Sequence, residues 1–87
     1  MVEELLGQVV VVDLRSPYVC MGTFVRCDDR CLELVDADLH DLRDTATSRE
    51  NYIAASAATG IKRNRTRVLL TRDEVVAISR LKDVVDE

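Results

Sequence analysis

The chain has 87 residues, of which 47% are hydrophobic and 32% charged, with a formal net charge of -4. That length and balance exclude a large enzyme fold and a disordered chain, and point to one small globular domain spanning residues 1–87. Aromatic residues make up only 3% of the chain and Trp is absent, so the core must be aliphatic and small. A core of that size is marginal alone, which favours self-association. Overall acidity argues against coating nucleic acid by bulk attraction, yet the charge is uneven. Residues 1–44 carry ten acids and four bases, residues 45–82 three acids and eight bases. Opposite patches of this kind suit contacts between identical subunits as well as they suit a polyanion.

In chain order, residues 2–6 place Glu3 and Glu4 where a short helical N-terminus favours them, and Gly7 ends the segment. Residues 8–14 are rich in β-branched valine and run into Arg15-Ser16-Pro17, a strand followed by a turn. A second strand over residues 18–27 is apolar on both faces, with Gly22 at a bend or close approach. Asp28-Asp29-Arg30 forms a polar turn into a third strand, residues 31–37, with Leu32 and Leu34 inward. Residues 39–67 then form an insert, in which Thr47-x-x-Glu50 has capping-box form and predicts a helix over residues 48–59 capped by Thr47. Residues 68–70 and 75–81 are two further strands. Between them Thr71-Arg72-Asp73-Glu74 repeats the capping spacing, but Val75, Val76 and Ile78 favour strand. Five short strands in so short a chain predict a mainly β fold, a small closed or nearly closed barrel with a short N-terminal helix and a helix inserted between strands three and four.

No apolar run exceeds four residues, as in Val9 to Val12, too short for a membrane span or a signal-peptide core. Three cysteines without CxxC spacing predict free thiols and a reducing cytoplasm. Asp36, Asp38 and His40 alternate and could offer ligands to a divalent metal, as could Cys27, Cys31 and His40 to zinc. Neither set fixes a fourth ligand or a paired knuckle by its spacing, so a solvated strand end is favoured and no metal or other cofactor is expected. His40, the only histidine, falls on an expected loop without a nucleophile turn nearby, so the reading is non-enzymatic. Lys62, Arg63, Arg65 and Arg67 form the one basic cluster. It suits phosphate contacts, or else a charged helix exit or an inter-subunit salt-bridge surface facing Asp36, Asp38, Asp41 and Asp44.

Gly7-x-Val9-x-Val11, Leu14, Gly22-Thr23-Phe24, Asp28 and Asp36-Ala37 together resemble the first motif of Sm and Sm-like proteins, and residues 68–78 resemble the second. The resemblance implies a strongly bent five-stranded barrel that forms a homo-oligomeric ring by pairing strand four with the neighbour's strand five, with single-stranded RNA near the pore. Where the family usually has an asparagine this chain has Cys31-Leu32, and where it has an Arg-Gly pair this chain has Thr71-Arg72. Arg30 occupies the place of a base-stacking side chain. The RNA-binding residues expected at the pore are Arg30 and Arg72, oriented by Asp28 and Asp29, and the basic cluster adds Lys62 and Arg63 as phosphate contacts of its own. The altered signatures leave a second expectation open, a ring-forming protein-interaction module without RNA.

Overall fold

In the computed structural model, which describes residues 1–85, a 3₁₀ turn at Val2–Leu5 leads into β1 (Val9–Leu14), β2 (Tyr18–Cys27) and β3 (Cys31–Asp41). A second 3₁₀ turn at Leu42–Asp44 and helix α1 (Arg49–Thr59) precede β4 (Arg65–Thr71), and a turn at Arg72–Glu74 separates it from β5 (Val75–Arg80). The strands form one antiparallel sheet in the order β4-β3-β2-β1-β5. β4 and β5 are its edges and do not pair with one another, so the sheet curls into a barrel that backbone bonds leave open.

The valine run of β1 is explained by burial on both sides. Val10, Val12 and Leu14 point into the barrel with Cys20, Phe24, Leu32, Leu34, Ala37 and Leu70. Val11 points outward with Val19 and Met21, where Ile53 of α1 covers them. A strand covered on both faces reads as a continuous apolar run rather than an alternation. Burial of the outer stripe, flanked by Leu42, Tyr52, Ile61 and Leu81, is what docks the insert.

Several boundaries differ from the expectation. β3 continues past Ala37 to Asp41, so Leu39 and His40 lie in a strand rather than a loop, with His40 opposite Val19. β4 begins at Arg65, which places Arg65 and Arg67 in the strand and narrows the insert to residues 42–64. The N-terminal segment is 3₁₀, while the strand favoured by Val75, Val76 and Ile78 forms as β5, after a 3₁₀ turn at Arg72–Glu74.

The helix cap is shifted by one residue. Ser48, not Thr47, is the N-cap, and its hydroxyl accepts from the Asn51 N–H at 3.2 Å. The expected capping box fails because a Thr47 cap would need the residue after it to be helical, whereas Ser48 has extended backbone at φ -75°, ψ 165°. Ser48→Ala is therefore expected to lower unfolding stability by about 1 kcal/mol, and Thr47→Ala by much less. Urea denaturation of both variants checks the order; a larger loss at Thr47 would contradict the cap.

Candidate nucleic-acid interface

The turn between β2 and β3 is built by one carboxylate. Asp28 Oδ1 accepts from the backbone N–H groups of Arg30 and Cys31, both at 2.8 Å, and the Asp28 N–H donates to the Cys31 carbonyl at 3.0 Å. A side chain that takes two backbone donors fixes the turn without a glycine. Asp29 and Arg30, at the tip, are exposed. Because two backbone N–H groups point at it, the Asp28 carboxyl is held below its ordinary value, first by Arg30 and then by Cys31.

The turn between β4 and β5 lies against it. The Arg72 N–H donates to the Arg30 carbonyl at 2.7 Å, which extends the ladder one step past Cys31 opposite Thr71. Two exposed arginines forty-two residues apart in sequence therefore sit on adjoining turns, with Asp28, Asp29, Asp73 and Glu74 as the acids on the same turns. Guanidinium groups carried on turns that backbone bonds join can stack on bases and pair with phosphates, while the nearby carboxylates limit the net attraction.

Lys62 and Arg63 are not part of this site. Asn64 N–H donates to Ala37 O at 2.9 Å, so the basic segment joins β3 six residues after Cys31, about 20 Å along an extended strand. Arg63 pairs with Asp36 at 3.2 Å, Arg67 with Glu33 at 2.7 Å, and Arg65 donates to the Asn64 carbonyl at 3.1 Å. The cluster expected from the sequence is largely engaged in ion pairs and local bonds rather than presented as a free patch.

The alternation of Asp36, Asp38 and His40 does not survive either. A bulge at Asp36, whose φ is 49°, breaks it, and Asp36 is exposed while Asp38 is fully buried. Asp38 accepts from the Tyr52 hydroxyl and from Asn64 Nδ2 at 3.1 Å, and the His40 ring stacks on Tyr52 with centroids 4.0 Å apart. These polar groups clip the insert to β3. Among the described residues no group of three or more His, Cys, Asp or Glu side chains is placed to hold a metal ion. All three cysteines are free, and burial pushes the Cys20 thiol up to about 12, where it is inert. No described helix is long and apolar enough to cross a membrane.

Sequence reasoning missed Arg26 and Glu33. Beside the turn pair, Glu33 sits between Arg26 Nη2 at 2.9 Å and Arg67 Nε at 2.7 Å. Their shared face depends on an irregular register at Phe24 and Arg26, which no spacing rule reveals. Leu32, where the Sm family usually has asparagine, points into the barrel and is 3% exposed, so it offers nothing to a base edge.

No family model and no curated protein matches the chain. Among solved structures, the Pyrococcus abyssii Sm protein in complex with a uridine heptamer is similar, with a TM-score of 0.62 at 18% identity over 91% of this chain and 90% of that one. The chain therefore has the Sm fold, with α1 between its third and fourth strands.

The depressed Asp28 carboxyl sets a pH expectation. A group whose folded value lies below its unfolded one keeps its contribution above that unfolded value and loses it as pH falls through the folded one. The turn is therefore expected to persist below the ordinary carboxyl value of 3.8 and to loosen only on further acidification. Amide shifts of Arg30 and Cys31 followed by NMR check this; loosening above that pH would contradict the clamp.

Proposed function

We propose that the protein is a non-enzymatic, cytoplasmic Sm-like scaffold that assembles into a homo-oligomeric ring and binds single-stranded RNA through Arg30 and Arg72. The observation that carries the reading is the backbone bond from Arg72 to Arg30, which joins the turns bearing two exposed arginines, one of them a turn that Asp28 orders. The uridine heptamer bound to the similar Pyrococcus protein supports RNA as the ligand. Asp29 adds a second negative charge at the turn tip and tempers affinity. Lys62 and Arg63, at the far end of β3, act as secondary phosphate contacts for a longer strand.

Assembly is supported by the two unpaired edges. β5 exposes Val76 at 66%, and the outer backbone groups of both β4 and β5 lack a strand partner among the described residues. Edge-to-edge pairing of β4 with the next copy's β5 satisfies both, and closure into a ring prevents indefinite growth. A ring also repeats the arginine pair, so weak contacts gain from high effective concentration. With Leu32 buried, base-edge readout is absent at that place and preference among bases is slight. That same burial favours, as the second reading, a ring that binds protein and not RNA.

Fluorescence anisotropy with short single-stranded RNAs at two salt concentrations tests the binding. Arg30→Ala and Arg72→Ala are each expected to weaken it about tenfold, the loss of one charge-assisted contact of roughly 1.4 kcal/mol, with wild-type affinity falling as salt rises. Unchanged affinity in both variants, alongside loss on neutralising Lys62 and Arg63, moves the site to the insert; no binding at low salt selects the protein-module reading.

Light scattering is expected to give a closed oligomer whose mass does not grow with concentration, and Val76→Asp is expected to release smaller species. A wild-type monomer at micromolar concentration overturns the ring.

A further inference from the structure

Beside the paired turns, on the outward face of β2, β3 and β4, lies an open cavity of about 370 Å³, near the lower end of the range for small-ligand sites. Glu33 lies in its wall with the side chain 13% exposed, while Arg26 at 74% and Arg67 at 54% stand out at either side. The carboxylate accepts the Arg67 Nε–H at 2.7 Å and pairs with Arg26 Nη2 at 2.9 Å, and so draws both guanidiniums to the cavity while most of their donors stay uncommitted. With Asp28 as a second carboxylate in the lining the charges balance, so attraction for an anion rests on the N–H groups of the two guanidiniums that Glu33 leaves free. Glu33 stays ionised across the neutral range because the Arg67 hydrogen bond holds its carboxyl below the ordinary value.

The rest of the lining is of a different kind. Leu69, half-exposed, and Cys31 supply an apolar surface between the cations. A bare phosphate needs no such surface, and an acidic peptide would need a longer groove. An apolar plate flanked by fixed guanidiniums suits a base or ribose with a phosphate attached. Asp28 belongs to both sites, since it lines the cavity and its carboxylate builds the Arg30 turn. Leu69 and Arg67 project from the face of β4 rather than along its edge, so pairing of that edge with another copy leaves the cavity open.

We infer that the cavity bounded by Arg26, Glu33, Arg67 and Leu69 is a second nucleotide subsite, which takes one ribonucleoside phosphate unit of an RNA strand held at Arg30 and Arg72. This subsite rests on the RNA reading for its place on a strand, and it is tested with a probe that does not need the ring or the turn pair. Phosphate oxygens meet the free N–H groups of Arg67 and Arg26, the base lies against Leu69, and Glu33 orients both arginines. Glu33 is a positioning residue.

The test is titration of the isotopically labelled full-length protein with uridine 5′-monophosphate, adenosine 5′-monophosphate, uridine and inorganic phosphate, followed by amide NMR. Either nucleotide is expected to move Cys27, Cys31, Glu33 and Leu69. Arg67→Ala is expected to weaken this about tenfold, one charge-assisted contact, Arg67→Lys to weaken it less, and Lys82→Ala, an exposed cation outside both sites, to leave it unchanged within about twofold. Glu33→Gln, which frees both arginines, is expected to retain phosphate binding but to lose the preference for nucleotide over phosphate. Four results overturn the subsite: shifts confined to the turn residues 29–30 and 72–74, equal response to inorganic phosphate, affinity unaffected in Arg67→Ala, or no response to any probe while RNA still binds in the anisotropy assay. Failure of that assay with intact nucleotide shifts would instead strike the turn-pair reading and leave a free-nucleotide site.

Discussion

The fold turns on the close approach of β2 and β3 at Gly22. A Cβ at that position would sit 2.8 Å from Ala37 Cβ and 3.0 Å from the Val35 carbonyl, so only glycine lets the two strands cross there without displacement. Opposite Gly22, β3 carries one residue more than β2, with Asp36 in the left-handed region at φ 49°. An extra residue on one strand bends the pair and increases its twist. That bend wraps one sheet around Phe24 and Leu34, lets β5 reach β1 while β4 stays on β3, and leaves β4 and β5 as free edges. The two arginine turns meet because the β3–β4 ladder runs unbroken from Val35 opposite Arg67 to Cys31 opposite Thr71, and so carries the following turn onto Arg30.

The insert is accommodated by the same geometry. Bending puts Val11, Val19 and Met21 on a convex outer face, which would be an exposed apolar stripe in a bare barrel. α1 covers it with Ile53, and the join is finished by polar bonds: Arg49 Nη1 donates to the Tyr18 carbonyl at 3.1 Å, and Asn64 bridges Asp38 and both backbone groups of Leu39. Asp38 is a buried carboxylate met by two neutral donors rather than by a cation, and its charge adds to burial in raising the Cys20 thiol. Such a network helps stability only while every member is satisfied, so it ties the position of the helix to one register of β3. For an 87-residue chain the insert supplies apolar burial as well as a decoration of the loop.

What could be read in the sequence follows from which forces are local. β2 was legible end to end because its limits are set by Pro17 and the Asp28 turn, both local signals. The bend at Gly22 was legible as a glycine inside a strand. The continuation of β3 was not: Asp38 and His40 read as a solvated end, and only the approach of Tyr52 and Asn64, fourteen and twenty-six residues later than Asp38, makes them tolerable inside the sheet. The cap was misplaced by one residue because Thr47-x-x-Glu50 and Ser48-x-x-Asn51 overlap, and the choice depends on where docking of Ile53 starts the helix. For the site, the adjacency of Arg30 and Arg72 came from the family resemblance, whereas Arg26 and Glu33 are brought together by a register shift that has no sequence signature.

The charge asymmetry of the two halves takes on a different meaning once the strands are paired. β3 belongs to the acidic half and β4 to the basic half, and they are neighbours, so much of the imbalance is cancelled across one ladder: Asp36 with Arg63, and Glu33 with Arg67. These pairs are exposed on their basic side and contribute little to stability. Their effect is on where a polyanion can bind. By pairing the arginines along the strand, they prevent a diffuse basic surface and leave only those guanidinium N–H groups that point away from the carboxylates. At one end, Asp28 spends its carboxylate on backbone N–H groups rather than on a guanidinium, and Arg30 and Arg72 remain available. An acidic protein can in this way keep a localised site for an anionic strand, because recognition depends on which donor groups the local carboxylates leave free and not on the net charge of the chain.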